Sequence, residues 1–181
     1  MVAASILPVT IHKNKLYFLF GKENELEDSA KGWSDFGGRV EKNESIFKGA
    51  LREGSEELTG FLGDPSELRK IILDNGGYHR IKHNDYNVHI FYLPYDENLP
   101  KYYNQNHHFL WDKMDNTMLS KTKLFEKIEI DWFSIDDMKN RKNEFRGFYQ
   151  EIVDIFIEKE KRIKLFINSN RLTKNKTMKN R

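Results

Sequence analysis

The sequence of 181 residues contains no cysteine. This absence excludes disulfide bonds, thiolate metal sites and cysteine nucleophiles, and it fits a protein of a reducing compartment. No run of the sequence approaches 18 apolar residues, so no membrane-spanning helix is predicted. The first ten residues lack the basic segment that opens a signal peptide. Together these absences predict a cytoplasmic protein with no membrane partner.

The chain also lacks a large excess of positive or negative charge, because 30 Lys and Arg residues nearly balance 28 Asp and Glu residues and leave a net charge of +2. This balance argues neither for nor against nucleic acid as a partner. The distribution is uneven, since acidic residues are concentrated in 41–57 whereas 170–181 carries five basic side chains and no acid. Aromatic residues make up 13% of the chain, which indicates a globular domain rather than a disordered protein.

Hydrophobic periodicity predicts strands that surround one central helix, with another helix near the end of the chain. We expect strands at 5–11, 15–21, 69–74, 77–82, 87–94 and 128–133, a helix at 45–58, a short helix from 134, and a long polar insertion at about 95–122. A longer helix is expected over about 144–167, followed by a basic, disordered tail at 169–181. This order predicts an α/β or α+β protein with a mixed sheet and one domain over 1–168.

Three glutamates of the predicted central helix, Glu53, Glu56 and Glu57, stand at i, i+3 and i+4 and therefore share one face. They repel one another, and the partial negative charge at the helix C-terminus disfavours them further. A hard divalent cation such as Mg²⁺ or Mn²⁺ would compensate them, because it prefers oxygen ligands. Arg52 is placed to pair with Glu44 or Glu56. A solvated acidic helix face is the alternative, and it is the usual meaning of a bare acidic run.

The spacing of these residues matches a longer pattern, Gly-x5-Glu-x7-Arg-Glu-U-x-Glu-Glu-x-Gly-U, in which U is a bulky apolar residue. Six positions are filled in register, by Gly38, Glu44, Arg52, Glu53, Glu56 and Glu57. The chain therefore resembles the Nudix hydrolases over about residues 3–160. Within the box, residues 38–60, Gly54 replaces the first apolar residue, and Thr59 replaces the final glycine, one residue before Gly60. We expect Gly54 to weaken packing and helix propensity by up to about 1 kcal/mol.

The resemblance implies an α/β/α sandwich with a mixed sheet and a central catalytic helix. It also implies a hydrolase that cleaves a diphosphate bond in a nucleoside diphosphate linked to another group, through attack of water on phosphorus. Nucleoside triphosphates, nucleotide sugars and dinucleoside polyphosphates are the expected substrate classes. Mg²⁺ or Mn²⁺ would be the cofactor. Homodimers are common in this family, and the sequence leaves a homodimer open.

Roles for individual residues follow from the same resemblance. The metal ligands would be the backbone carbonyl of Gly37 and the carboxylates of Glu53, Glu56 and Glu57, with Arg52 and Glu44 orienting them. One carboxylate would accept the proton of the attacking water, and Glu53 is the first candidate. An acid on a later loop often supplies the base or a further ligand. We prefer Glu126 for that role over Glu129, for which a strand-face position is the alternative.

Several side chains are candidates for contact with the substrate. Arg39 would touch phosphate, or would pair with Glu41. Trp33 and Phe36 would stack against a base, or would pack in the core. Further candidates in the insertion are Tyr102, Tyr103, His107 and His108.

Two other functions fit the same residues. An mRNA-decapping Nudix enzyme uses the same box on capped RNA, and the basic tail, the aromatic-rich insertion and the extra C-terminal helix favour it. A net charge of +2 offers an RNA backbone only a modest positive path. A non-catalytic nucleotide-binding protein is the second alternative, and the complete set of carboxylates argues against it. Binding loops set substrate choice on a shared fold, so the sequence does not name the substrate.

Overall fold

The computed structural model describes residues 1–24, 31–115, 117–118 and 125–179, with side chains up to residue 171. The strands of this part of the chain are β1 (Ala3–His12), β2 (Lys15–Glu23), β3 (Trp33–Ser34), β4 (Phe36–Arg39), β5 (Tyr78–His83), β6 (Tyr86–Tyr92) and β7 (Lys127–Ser134). Its α-helices are α1 (Ile46–Glu57), α2 (Pro65–Asp74), α3 (Asn98–Lys113), α4 (Ile135–Asn140), α5 (Gln150–Glu158) and α6 (Glu160–Lys179).

A mixed sheet forms the middle layer of the molecule. Its strands lie in the order β3-β2-β1-β6-β5, while β4 also pairs with β1 and β7 also pairs with β2. β1 and β6 are parallel, and the other neighbouring strands are antiparallel. Neighbouring residues of β1 point to opposite faces, so Ile6 joins one apolar cluster and Leu7 joins the other. The two clusters confirm the expected α/β/α sandwich.

Each apolar cluster is covered by its own set of helices. α1, α2 and α3 contribute Leu51, Ile72 and Tyr103 to one cluster. α5 and α6 contribute Phe156 and Ile163 to the other. The cluster under α1 is the one that supports the box, and it contains no residue of α5 or α6 in the described part of the chain.

The central helix forms where it was predicted. The Ser45 side chain begins α1 by accepting a hydrogen bond from the backbone N–H of Lys48, which satisfies one of the free donors of the first turn. Ala50 and Leu51 are buried on the side that faces the sheet. The helix ends at Glu57, so the three box glutamates all lie in its last two turns.

The strand predicted at 69–74 is wrong, because these residues form the second half of α2. Asp64 and Glu67 form a capping box at its start, in which each side chain accepts a hydrogen bond from the other residue's backbone. Ile72 is buried one turn after the buried Leu68, while the apolar residues beside Ile72 are more exposed. The apolar residues that suggested a strand therefore belong to a helix, and only one side of that helix is buried.

The C-terminal region also differs from its prediction. The helix expected over 144–167 is divided into short 3-10 turns, α5 and α6, with the break between the two α-helices at Lys159. α6 continues to Lys179, where the sequence predicted a disordered tail, and Asn170 is buried against Gly76. Residues 180 and 181 of that tail lie outside the described residues. Across the described ranges, no helix combines the length and apolarity needed to cross a bilayer.

Candidate active site

Two glycines bring strand β4 very close to its neighbours. A Cβ atom on Gly38 would lie 2.6 Å from the carboxyl group of Glu53, and one on Gly37 would lie 2.3 Å from the Cβ of Ser5. Only glycine fits such an approach. The Gly37 N–H donates a hydrogen bond of 2.9 Å to Oε2 of Glu57. Since the N–H and C=O of one strand residue point to the same side, the Gly37 carbonyl faces the edge on which the box helix lies.

Arg52, which is partly buried, is the central cation of the outer side of the box. Its guanidinium donates to Glu44 through Nε and Nη2, at 3.3 and 3.2 Å, and to Glu53 through Nη1 at 2.8 Å. Nη2 also donates to the carbonyl of Arg39 at 2.9 Å, and Glu56 Oε2 lies 3.6 Å from Nη1. The predicted pairing of Arg52 with Glu44 is therefore present, and these contacts join the middle of α1 to the segment before it and to the end of β4.

The electrostatics of this group follow from its hydrogen bonds. The Arg52 guanidinium holds the pKa of Glu44 below its ordinary value. In turn, the bond to Glu44 raises the pKa of Arg52, although partial burial acts in the opposite direction. Both residues are therefore charged over the whole physiological range, and Arg52 neutralises part of the negative charge of the box.

Glu57 lies in a different environment from its neighbour Glu56. The Glu57 side chain is only 6% exposed, whereas that of Glu56 is 53% exposed. Burial raises the pKa of Glu57, and the positive charge of Lys127 opposes that shift. Lys127 Nζ lies 3.6 Å from Glu57 Oε2, so the inner carboxylate has a protein cation beside it before any metal is considered.

Lys127 is fully buried and belongs to a polar cluster beneath the box helix. Its ammonium donates to Glu23 and, at 2.8 Å, to the hydroxyl of Ser34. Arg146 also donates to Glu23, at 2.7 Å. The Tyr103 hydroxyl lies 2.9 Å from the backbone carbonyls of both Glu57 and Lys127. Helix α3 is thereby connected to the last turn of α1 and to the start of β7.

The first departure from the box pattern has a packing explanation. Gly54 is buried, and a Cβ atom on it would lie 2.4 Å from Cγ1 of Ile6 on strand β1. The expectation that Gly54 weakens packing is therefore wrong, because the missing side chain lets α1 approach β1 closely. An apolar side chain here would push the helix away from β1.

The second departure preserves the shape of the helix end. The N–H of Thr59 bonds to the carbonyl of Glu56, and the N–H of Gly60 bonds to that of Ser55, which is the Schellman arrangement. Thr59 has φ of 49°, in the left-handed region that a β-branched residue rarely adopts. Its hydroxyl lies 3.2 Å from Nε2 of His107. The end of the box helix is thus in contact with α3.

The candidates for substrate contact are placed very differently. Trp33 and Phe36 are buried among core residues, as the alternative of core packing expected, and we do not retain a stacking role for them. Arg39 is exposed beside the box. Tyr103 is buried with its hydroxyl bonded as described above, so it presents no face to a ligand. Tyr102 is exposed on the outer side of α3.

The two candidates for an additional acid also differ. Glu129 pairs with Lys22 at 3.6 Å across the β2–β7 ladder. The charge of Glu126 acts on Glu57 and raises its pKa. Proximity to the box therefore favours Glu126 over Glu129.

The donor chemistry of the box fits a hard divalent cation. The side-chain ligands of the cation would be carboxylates. The space between Gly38 and Glu53 is too narrow even for a methyl group, so the backbone of β4 lies close to the carboxylate oxygens of Glu53. Within the described ranges, no three acidic or histidine side chains converge as they stand. Glu53 and Glu56 turn towards Arg52 instead, and a cation would compete with Arg52 for them.

Sequence reasoning missed the buried support of the site. Lys127 opens a strand whose alternation was recognised, but nothing in the sequence distinguished an inward-facing lysine from an exposed one. Glu23 is 104 residues away from its partner Lys127, and only the pairing of β2 with β7 brings the two together.

Comparisons with known structures agree with this architecture. The chain is similar to a bifunctional NMN adenylyltransferase/ADP-ribose pyrophosphatase from Francisella tularensis, complexed with AMP and a manganese ion, with 16% identity and a TM-score of 0.53 over 87% of this chain and 41% of that one. The chain has the fold of the Nudix hydrolases.

Two further structures are similar to the chain at lower scores. A MutT protein from Methanosarcina mazei has 16% identity and a TM-score of 0.47, over 89% of this Nudix-fold chain and 95% of that one. An Ap4A hydrolase from C. elegans, in a binary complex, has 14% identity and a TM-score of 0.44, over 92% and 94%. No family model matches the sequence, and no curated protein matches it.

Proposed function

We propose that this protein is a metal-dependent hydrolase that cleaves a diphosphate bond in a small molecule containing a nucleoside diphosphate. The observation that carries the proposal is the assembled box. Glu44, Arg52 and Glu53 are joined by direct hydrogen bonds, and Glu56 lies within reach of the same guanidinium. An ordinary solvated acidic face would not fix an arginine between three carboxylates.

Mg²⁺ or Mn²⁺ is the cofactor that fits these ligands. Glu53, Glu56 and Glu57 would hold it, together with the carbonyl oxygen of Gly37. When bound, it supplies positive charge against the phosphates and lowers the pKa of coordinated water. Lys127 limits the negative charge that accumulates around Glu57, since it stays beside that carboxylate.

The residues of the chain divide the remaining tasks. Arg52 orients Glu53 through the bond of 2.8 Å, and Glu44 orients Arg52. Glu53 is our first candidate for accepting the proton of the attacking water. Glu126 is the second, because its charge acts on Glu57. Arg39 is exposed at the end of β4 and is available to a phosphate.

A substrate panel with Mg²⁺ or Mn²⁺ tests the proposal. The panel contains nucleoside triphosphates, ADP-ribose, a nucleotide sugar, diadenosine polyphosphates and cap-labelled RNA. We expect hydrolysis of at least one small nucleotide. Release of capped nucleoside diphosphate from RNA alone would select a decapping enzyme, and nucleotide binding with no turnover would select a binding protein.

The Glu56→Gln variant tests the site itself. We expect a loss of turnover of about 10²-fold or more, with unchanged unfolding in urea because the side chain is half exposed. Glu158→Gln is the matched control, since Glu158 is an exposed glutamate at the end of α5, and we expect it to leave turnover unchanged. Wild-type rates in Glu56→Gln would contradict the assignment.

A further inference from the structure

A cavity of about 760 Å³ opens between the C-terminal half of α1, the segment that follows it, and α3. Arg52 and Glu56 of the box line it together with three apolar side chains, Phe61, Leu110 and Phe125. This volume lies in the range of sites that enclose a small organic ligand. The cavity is therefore continuous with the proposed phosphate site. Its apolar lining, however, is unsuited to binding phosphate.

The walls of the cavity change character along their length. On α1, Arg52 is followed one turn later by Glu56, and then by Thr59, which contacts His107 on α3. The walls beside that contact are aromatic, because the rings of Phe61 and Phe125 lie 6.1 and 5.3 Å from the His107 ring. The polar end of the cavity is thus next to the carboxylates, and its apolar end lies around His107.

Helix α3 holds its side of the cavity rigidly. Asn104 exchanges hydrogen bonds of 2.8 and 3.0 Å with the backbone of Ile130 on β7. His107 donates from Nδ1 to the carbonyl of Tyr103 at 2.8 Å, and Tyr103 is itself fixed to the end of α1. A wall that is fixed in advance costs little ordering on binding, which is expected of a specificity site.

We propose that this cavity binds the nucleobase of the substrate, with the base at the Phe61, Leu110 and Phe125 end and the phosphates at the Arg52 end. Aromatic and aliphatic walls suit the faces of a planar heteroaromatic ring. Asn106, an exposed amide on the rim, carries both a donor and an acceptor for the edge of the base. The inference rests on the proposed function, and it adds that the side of the cavity formed by α3 recognises the base and so contributes to substrate choice.

The test measures binding without turnover, by titrating AMP and ribose 5-phosphate, neither of which has a diphosphate bond, into the protein with Mg²⁺ and following both by NMR and calorimetry. Leu110→Trp would fill the apolar end, and we expect it to weaken AMP binding at least about tenfold while ribose 5-phosphate is unaffected. Phe109→Trp is the matched control, because Phe109 is the adjacent residue of α3, is 61% exposed and does not line the cavity. It should bind AMP like the wild type.

Asn106→Ala provides a second variant, since an exposed residue can be changed without threatening the fold. We expect a several-fold loss for AMP and none for ribose 5-phosphate. No AMP binding by the wild type, wild-type affinity in both Leu110→Trp and Asn106→Ala, or an equal loss in Phe109→Trp would each overturn the proposal. AMP binding that depends on Leu110 in a protein that hydrolyses nothing would keep the base site and reject the hydrolase. Turnover by the wild type, with no effect of Leu110→Trp or Asn106→Ala on AMP binding, would keep the hydrolase and reject the base site.

Discussion

Glu56 and Glu57 are adjacent in the sequence, but one side chain is exposed to solvent and the other is buried. Glu56 faces solvent and the Arg52 guanidinium, so its charge is screened by water. Glu57 is turned inward, where burial raises its pKa and Lys127 with the Gly37 N–H supports the charged form. One helix thus carries an adaptable carboxylate and a fixed one side by side. A motif that reads as a uniform acidic cluster is in fact built from two environments.

Lys127→Met gives the largest expected effect, because it removes the buried cation that both Glu57 and Glu23 share. Breaking a buried ion pair from one side leaves uncompensated charge and typically costs about 3–5 kcal/mol. We expect a loss of this size in the free energy of unfolding measured in urea. Lys22→Met is the control, since Lys22 pairs with Glu129 at the surface and should cost about 1 kcal/mol or less. Equal losses of unfolding free energy in the two variants would show that Lys127 contributes no more to stability than a surface lysine.

The position of α1 against the sheet is tested next, by Gly54→Ala. Alanine favours the helix by up to about 1 kcal/mol, yet its Cβ would lie 2.4 Å from Cγ1 of Ile6. We expect the clash to dominate and to destabilise the protein by about 1–3 kcal/mol. In the Ile6→Ala background the clashing atoms are gone, so the same substitution should become neutral or stabilising. A gain in stability in the wild-type background would show that the helix has room to move.

The mixed α/β class and the position of the box helix follow from local signals in the sequence, whereas the α/β/α layering was implied by the resemblance to the Nudix hydrolases. Periodicity gave the strands that flank α1, and the fixed spacing from Gly38 to Glu57 marked the helix. The errors arose where a tertiary or capping effect decided the outcome. The apolar run of 69–74 lies in a helix that Asp64 caps, and α6 extends past 168, where Asn170 packs against Gly76.

The buried half of the site could not be predicted for a related reason. Glu23 and Lys127 meet only through the pairing of β2 with β7, and neither residue has a local pattern that announces burial. The cavity wall likewise depends on α3, which lies in the segment that the sequence predicted only as a long polar insertion. On the outer side of the box, by contrast, helical spacing predicts the approach of Arg52 to Glu56, because the two residues are one turn apart.

Glu44→Gln is expected to give the smallest effect and to sharpen the comparison through pH. Arg52 holds the pKa of Glu44 below its ordinary value of 4.5, so the folded protein gains stability from this charge above that pH and loses it as the pH falls. Glutamine keeps an acceptor for Arg52 but lacks the charge, which should cost about 1 kcal/mol at pH 7. We expect the difference between variant and wild type in urea unfolding to shrink below pH 4.5. Glu158→Gln should show no such change, and a difference for Glu44→Gln that stayed constant down to pH 3 would mean that Arg52 stabilises the fold through its other hydrogen bonds.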